Sequence, residues 1–206
     1  MIVLAIDTTS EWGSLALVRD GVLLEELPVH SPEGFGGVLF PQIQDLLSRH
    51  GLRVTDVDCF ASATGPGSFT GVRICITAAK GLAESSGKLV AGVSNLRAIA
   101  FYGNGNLRAP VIDARRGEVY GGLYDAQLRE VQPETVLPPD RWFGSLPEGC
   151  EILSNEPEKF PMAKIVPQAL AGAIGCIASG MSHVDPAVLD ANYVRRSDAE
   201  LMWKEA

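Results

Sequence analysis

The chain has 206 residues, of which 46% are hydrophobic and 20% charged, with 22 glycines and 13 prolines. This is the composition of a folded globular protein and excludes a disordered or collagen-like chain. Lysine and arginine number 17 against 25 aspartates and glutamates, a net charge of −8. A surface of this sign repels nucleic acid, so we expect no strong RNA binding by the chain alone.

The cysteines and the apolar segments indicate the compartment. The four cysteines are dispersed without a CxxC pair, and the amino-terminal segment reaches Asp7 without a basic region before it. No apolar run approaches the roughly 18 residues of a membrane span. These features predict a cytoplasmic protein with reduced thiols and no membrane contact.

The first half of the chain alternates between strands and helices. Periodicity and turn residues predict strands at 2–7, 13–18, 22–29, 56–64 and 89–93, and helices at 38–50, 70–86 and 96–102. The sequence Gly103-Asn104-Gly105-Asn106 then marks a boundary. We therefore expect an N-terminal lobe at residues 1–103 and a C-terminal lobe with its tail at residues 107–206.

The opening pattern returns after this boundary. Val111-Ile112-Asp113 is followed by a turn and by strands at 118–124 and 130–136, as Ile6-Asp7 is followed by a turn and two strands. Beyond them the sequence predicts only strands at 151–154 and 164–166 and one helix at 168–180. A repeated meander of this kind is typical of an α/β duplicated actin-like (ribonuclease-H-like) two-lobed fold with a shortened second lobe. The alternative is a single α/β protein in which two hairpins merely look alike.

A glycine-rich turn lies between the strand at 56–64 and the helix at 70–86. Backbone N–H groups at such a helix start favour an anion, and a carboxylate with hydroxyls at the end of the first strand would face it. The spacing of the glycines is not that of a dinucleotide-binding or P-loop motif. The candidate phosphate-binding residues, which would be vestigial, are Asp7, Thr8, Thr9, Gly65, Gly67 and Ser68. The alternative for Asp7 and its neighbours is a turn that satisfies only its own backbone.

Metal and nucleophile chemistry have no support in the sequence. His30, His50 and His183 are scattered, and no two of them share a helix face at the i, i+4 spacing of a ligand pair. We therefore expect neither a metal site nor catalytic residues.

The glycine-rich turn also carries a family resemblance. The sequence Gly-Pro-Gly-Ser-Phe-Thr-Gly-Val-Arg at 65–73 closely resembles the signature of the TsaB (YeaZ) family, a subunit of the machinery that makes threonylcarbamoyladenosine in tRNA. Supporting segments are residues 6–9, 79–83, 93–96, 112–120 and 193–195. The resemblance covers most of residues 2–125 and thins afterwards. Residues 33–38 depart from the helix-forming sequence expected there, which leaves the start of the first helix open.

The resemblance implies a non-catalytic dimerisation or scaffold subunit. Such a subunit pairs with TsaD and allows it, with the ATPase TsaE, to transfer a threonylcarbamoyl group to tRNA adenosine. It would contact tRNA only through the complex, and ATP or ADP only in that context, with no cofactor of its own; a homodimer is a further partner. Two alternatives remain: an independent actin-like ATPase or glycopeptidase-like metalloenzyme, and a plain phosphate-binding module.

The predicted second helix indicates where a partner would bind. Its apolar arc spans about 220°, whereas one core-facing stripe needs little more than about 100°. Small residues at i, i+4 and i+8 would let another backbone approach closely. The predicted partner interface on the first two helices comprises Leu39, Ile43, Leu46, Gly71, Val72, Cys75, Ile76, Ala79 and Ala83. The alternative is a helix sandwiched inside a single domain.

Overall fold

The computed structural model describes residues 1–194. In that range the chain forms two five-stranded mixed sheets and five α-helices. Of the tail segment at 193–195, Arg195 lies outside the described residues, as does the rest of the predicted C-terminal lobe beyond it. Within residues 1–194, no helix combines the length and the apolar character needed to cross a membrane.

The first sheet has the strand order β3-β2-β1-β4-β5. Its strands are β1 (Ile2–Asp7), β2 (Trp12–Arg19), β3 (Val22–His30), β4 (Cys59–Ala63) and β5 (Leu89–Val93). β2 is antiparallel to both β1 and β3, whereas β1, β4 and β5 run parallel. Central strands β1 and β4 are almost wholly buried, which agrees with their continuous apolar sequence.

Three helices belong to the first half of the chain: α1 (Leu39–Arg49), α2 (Phe69–Ser86) and α3 (Asn95–Ala100). The helix start left open by residues 33–38 is at Leu39, after a turn in which Phe35 is buried. α2 begins where the Ser68 hydroxyl accepts a hydrogen bond from the amide of Gly71, and it ends at Gly87 in the left-handed conformation. These ends agree with the predicted helix at 70–86.

The second sheet repeats the first. Its strands are β6 (Leu107–Arg115), β7 (Glu118–Asp125), β8 (Glu130–Leu137), β9 (Glu151–Ser154) and β10 (Lys164–Ile165). The order β8-β7-β6-β9-β10 matches β3-β2-β1-β4-β5, with the same antiparallel and parallel pairings. The duplicated actin-like fold is therefore confirmed, because chance similarity of two hairpins would not reproduce the order and sense of all five strands.

The second lobe keeps its sheet but loses most of its helices. Only the six-residue α4 (Pro139–Gly144) stands in the place of α1, and a loop at residues 155–163 replaces the counterpart of α2. α4 was not predicted from the sequence, because it is short and begins at the second of two consecutive prolines. Its Trp142 is buried against Gly121, whose missing side chain leaves room for the indole.

Each half of the chain contributes a helix that packs on the sheet of the other half. α3 packs on β6 and β7 of the second sheet, and α5 (Ala171–Ser179) packs on β1, β2 and β3 of the first. α5 approaches closely because Gly175 lies over Val18, where a Cβ would come within 2.6 Å of a methyl group. The predicted division at 103–107 falls between the two sheets.

The expected openness of the first two helices to a partner is also corrected. α2 packs on β1, β4 and β5 and is flanked by two 3-10 turns, Val54–Asp56 and Pro186–Val188. These turns cover the sides of the wide apolar arc. As a result all nine predicted interface residues are buried within the chain itself: Leu39, Ile43, Leu46, Gly71, Val72, Cys75, Ile76, Ala79 and Ala83. A partner interface on these helices stays a prediction, and its exposed residues must be different ones.

Candidate functional site

A cleft of about 1160 Å³ lies between the two sheets. It opens at the carboxyl ends of β1 and β4, the edge where parallel strands of α/β proteins present ligand-binding residues. Its walls come from the β1–β2 loop, from the turn at residues 64–68, from the β6–β7 turn of the second lobe, and from residues 192–194. The cleft is the place to which the sequence assigned phosphate binding.

A hydrogen-bond network joins the first-lobe residues of the cleft. The amide and hydroxyl of Thr9 donate to the Asp7 carboxylate at 2.9 and 2.6 Å. The Asn95 side-chain amide donates to the Thr9 hydroxyl at 2.7 Å, and its carbonyl oxygen accepts from the amide of Gly65 at 3.0 Å. The ends of β1, β4 and β5 are thus tied together by side chains that lie 30 to 86 residues apart in sequence.

The glycine-rich turn packs directly on the β1–β2 loop. The amide of Ser68 donates to the Thr9 carbonyl at 2.7 Å, and a Cβ on Gly67 would lie 2.8 Å from that same oxygen. A Cβ on Gly71 would lie 1.9 Å from the Thr8 carbonyl oxygen. The Thr8 hydroxyl donates a hydrogen bond to the carbonyl of Gly71 at 2.7 Å. The glycines therefore allow one loop to seat on another.

All six candidate phosphate-binding residues come together in this way. Their contacts, however, lie within the chain: the amides of Gly65 and Ser68 donate to Asn95 and to the Thr9 carbonyl, and the Thr8 hydroxyl donates to the carbonyl of Gly71. Burial raises the pKa of Asp7 although its hydrogen bonds with Thr9 oppose that shift. The group is arranged as a structural junction between strands.

The second-lobe wall presents carboxylates toward the cleft. The backbone amide of Asp113 donates to Glu156 at 2.6 Å, and the Asp113 carboxylate forms an ion pair with Lys159 at 3.3 Å. Burial raises the pKa of Glu156. Arg115 and Arg116 form the adjoining turn in the left-handed conformation, φ 63° and 56°, which is uncommon for residues with side chains.

Sequence reasoning missed three residues of the site. Asn95 could have been found, because it follows β5 at the edge where β1 and β4 also end. Glu134 and Asn192 gave no local signal, since one lies in the middle of β8 and the other in an irregular segment far along the chain. Their positions depend on the docking of the two lobes, which no short pattern encodes.

The histidines all have structural neighbours. His30 stacks on Trp12 with ring centroids 3.8 Å apart, His50 lies 2.8 Å from Glu25, and His183 lies 3.0 Å from the carbonyl of Ala178. In the described part of the chain, no group of three or more histidine, cysteine, aspartate or glutamate side chains is placed to hold a metal ion.

The two like sheets, the exchanged helices and the cleft between them define the actin-like (ribonuclease-H-like) class of two-lobed α/β proteins. Residues 32–181 match a family model described as "TsaD: tRNA N6-adenosine threonylcarbamoyltransferase". The chain is 29% identical to the Bacillus subtilis tRNA threonylcarbamoyladenosine biosynthesis protein TsaB, covering all of this chain and 99% of that protein.

Two further comparisons agree. The Haemophilus influenzae TsaB protein is 37% identical over 71% of this chain and 68% of its own length. The solved structure of YeaZ from Pseudomonas aeruginosa superposes with a TM-score of 0.78 at 30% identity, covering 93% of this chain and 99% of that one. The chain belongs to the TsaB (YeaZ) family of tRNA threonylcarbamoyladenosine biosynthesis proteins.

Proposed function

We propose that this protein is a non-catalytic subunit of the machinery that forms threonylcarbamoyladenosine in tRNA. It would support a TsaD-like catalytic subunit during transfer of the threonylcarbamoyl group to tRNA adenosine. The observation that carries the proposal is that the glycine-rich turn packs on the β1–β2 loop, where the Ser68 amide donates to the Thr9 carbonyl and the Gly65 amide to Asn95 instead of being left for a phosphate. A subunit that has kept the two-lobed frame while its own chemistry is blocked serves best as a scaffold.

The same observation weakens the enzyme alternatives. An actin-like ATPase needs phosphate contacts from both walls of its cleft, whereas here the amides of Gly65 and Ser68 donate within the chain. On the opposite wall, Lys159 is paired with Asp113. A glycopeptidase-like metalloenzyme needs metal ligands, and the three histidines contact structural neighbours. We therefore propose no cofactor for the chain alone, with ATP or ADP only in the context of the complex.

The partner surface is proposed to be the outward side of α1 and α2. Phe40 on α1 is 54% exposed and Phe69 at the start of α2 is 47% exposed. Arg73 lies over the Phe69 ring at 3.9 Å, and Thr77 continues the same exposed side one turn later. Exposed aromatic rings with a guanidinium group are typical of the anchors of protein interfaces.

Further partners follow from the same proposal. A TsaE-like ATPase would join through the complex, tRNA would be held by the complex as a whole, and self-association of this chain would use the same helices. The chain's net charge of −8 supports the indirect contact with RNA. The site of action is proposed to be the cytoplasm, where tRNA is modified.

A reconstitution experiment tests the proposal. The chain, a TsaD-like subunit and a TsaE-like ATPase from one organism are combined with tRNA, ATP and threonylcarbamoyl adenylate, which donates the group and releases AMP. Threonylcarbamoyl transfer to tRNA is measured with each protein omitted in turn. We expect no transfer without this chain and an unchanged transfer rate with its Asp7→Asn variant, because Asp7 performs no chemistry. A folded Asp7→Asn protein that binds the partner but abolishes transfer would favour the enzyme alternative.

A pair of surface variants tests the partner surface. Phe40→Asp should leave the monomer folded, since the ring is exposed, and should weaken binding of the TsaD-like subunit by at least about tenfold, as expected for an interface anchor. Phe101→Asp is the matched control, because Phe101 is 38% exposed and lies beyond the C-terminus of α3, away from α1 and α2. Equal binding by the two variants would remove α1 from the interface.

A further inference from the structure

A segment near the end of the described chain crosses the mouth of the cleft. Residues 189–194, here called the strap, begin where Leu189 packs beside Gly92 of β5. The amide of Asn192 then donates to the carbonyl of Thr64 at 2.8 Å, and the strap covers the open side of Gly65, where a Cβ would lie 3.5 Å from the Asn192 carbonyl. The strap thus lies directly against the glycine-rich turn.

The strap also contacts the first turn of α2. The Tyr193 hydroxyl accepts a hydrogen bond from Arg73 Nε at 3.1 Å, and the Tyr193 ring lies 5.9 Å from that of Phe69. The preceding residues run beside the same helix, since the Lys80 ammonium donates to the carbonyl of Ala187 at 3.4 Å. The strap therefore follows α2 and turns across its N-terminus toward the second lobe.

One carboxylate joins the strap to the second sheet. Glu134 projects from β8 and accepts hydrogen bonds from the Ser94 hydroxyl, the Tyr124 hydroxyl and the Asn192 side-chain amide, the last at 2.5 Å. Ser94 caps α3 at the end of the first sheet, Tyr124 belongs to the second sheet, and Asn192 belongs to the strap. All three donors are neutral groups, so a single half-buried carboxyl group is the common acceptor of three separate parts of the chain.

We propose that Glu134 is a positioning residue that latches the strap across the cleft. With the strap latched, the turn at 64–68 is covered and the start of α2 is fixed relative to the second sheet. Without the latch, the part of the strap beyond the buried Leu189 would lift from the turn while both sheets stay folded. Its remaining contacts there are the Asn192 amide with Thr64 and the exposed Tyr193 side chain with Phe69 and Arg73. The inference does not depend on the proposed function, since it concerns the isolated chain.

An exchange of donor and acceptor tests the latch. Asn192→Asp places a second carboxylate 2.5 Å from Glu134, so the strap should be released and hydrogen exchange of the amides at 189–194 should rise by about tenfold. Glu134→Gln should change exchange less, because the amide oxygen can take the Oε2 position and still accept from Asn192, while its NH2 group faces the hydroxyls of Ser94 and Tyr124, which can accept. The double variant Glu134→Gln/Asn192→Asp should return exchange to the wild-type rate, since the new amide at 134 can donate to the new carboxylate at 192.

The control and the outcomes are defined by the same measurement. Asn106→Asp makes the same chemical change at an exposed asparagine before β6 and should leave exchange at 189–194 unchanged. The latch is rejected if Asn192→Asp exchanges at the wild-type rate, or if the double variant stays as exposed as Asn192→Asp. A rise spread evenly over β4 and β7 would indicate general destabilisation and would likewise overturn a local latch.

Discussion

Asp7 is a buried carboxylate at the end of β1 whose acceptor oxygen serves Thr9 rather than a ligand. Burial raises its pKa, which means that the folded protein holds this proton more tightly than the unfolded chain. Between the unfolded and folded pKa values the folded state binds more protons, so the free energy of unfolding falls as pH rises through that window. At neutral pH the buried Asp7 carboxylate therefore lowers the free energy of unfolding, and its hydrogen bonds with Thr9 oppose this loss.

Asp7→Asn should reveal this cost. The asparagine keeps an oxygen for the amide and hydroxyl of Thr9 but cannot ionise, so the stability of the wild type relative to the variant should decline as pH rises from about 4, the usual aspartate pKa, toward neutrality. Urea unfolding of both proteins at several pH values measures the difference. Glu134 and Glu156 titrate in both proteins, so their contributions cancel in the difference between wild type and variant. A relative stability that increases with pH would contradict the argument.

At the scale of elements, α2 shows how one helix seats on a loop. Gly71 is buried where the helix meets the β1–β2 loop, and a Cβ there would lie 1.9 Å from the Thr8 carbonyl. Gly81, three turns along, is exposed and has no atom within 4 Å of an added Cβ. Close packing therefore requires a glycine at position 71, whereas the surroundings of position 81 leave room for a side chain.

Alanine substitutions at these two glycines should shift stability in opposite directions. Gly71→Ala forces backbone atoms apart and should lower the free energy of unfolding by about 1–3 kcal/mol, the usual cost of overpacking. Gly81→Ala gains helix propensity without a clash and should raise it by about 0.5–1 kcal/mol. Thermal or urea unfolding of the two variants beside the wild type gives both signs. A Gly71→Ala variant as stable as the wild type would mean that the β1–β2 loop can move away from α2 with little loss of stability.

The elements that the sequence predicts well are those with strong periodicity and clear ends. α2 lies within one residue of its prediction because a period of 3.6 ends at Gly87, and β2 and β3 are correct because Asp20-Gly21 forms the turn between them. The strand predicted at 56–64 is shorter, since Val54–Asp56 forms a 3-10 turn that Arg53 and Asp56 cap. Local chemistry explains these successes and this error.

The site is predictable only where neighbouring strands bring it together. Asp7, Thr9 and Gly65 could be placed at one edge because β1 and β4 are parallel neighbours. The contacts of Glu134 with Asn192 could not, because they join residues 58 apart across two lobes. The burial of the predicted interface on α2 was only partly visible in the sequence, since α2 also packs against a 3-10 turn more than 100 residues later in the chain.

At the scale of the whole molecule, the lobes are joined by an exchange of helices. α3 and α5 each cover the sheet of the other half, and buried residues of the second half, such as Leu153 and Ile174, belong to one apolar core with the first sheet. Two lobes joined in this way share burial, so unfolding one should expose the other. The cleft between them is consequently built from a single cooperative unit.

ATP binding tests what this unit can do alone. A polyphosphate entering the cleft would meet the Thr9 carbonyl beside the glycine-rich turn. On the opposite wall the carboxylates of Asp113 and Glu156 lie among Arg115, Arg116 and Lys159, and Lys159 is already paired with Asp113. The acceptor oxygens disfavour an anion, and moving the β1–β2 loop away would break the Ser68 hydrogen bond. Calorimetry of the isolated chain with ATP, with and without Mg²⁺, should therefore detect no binding in the low-micromolar range. The same titration after addition of a TsaD-like subunit shows whether an ATP site forms only in the complex. A low-micromolar dissociation constant for the chain alone would show that the turn opens, and would bring the ATPase alternative back.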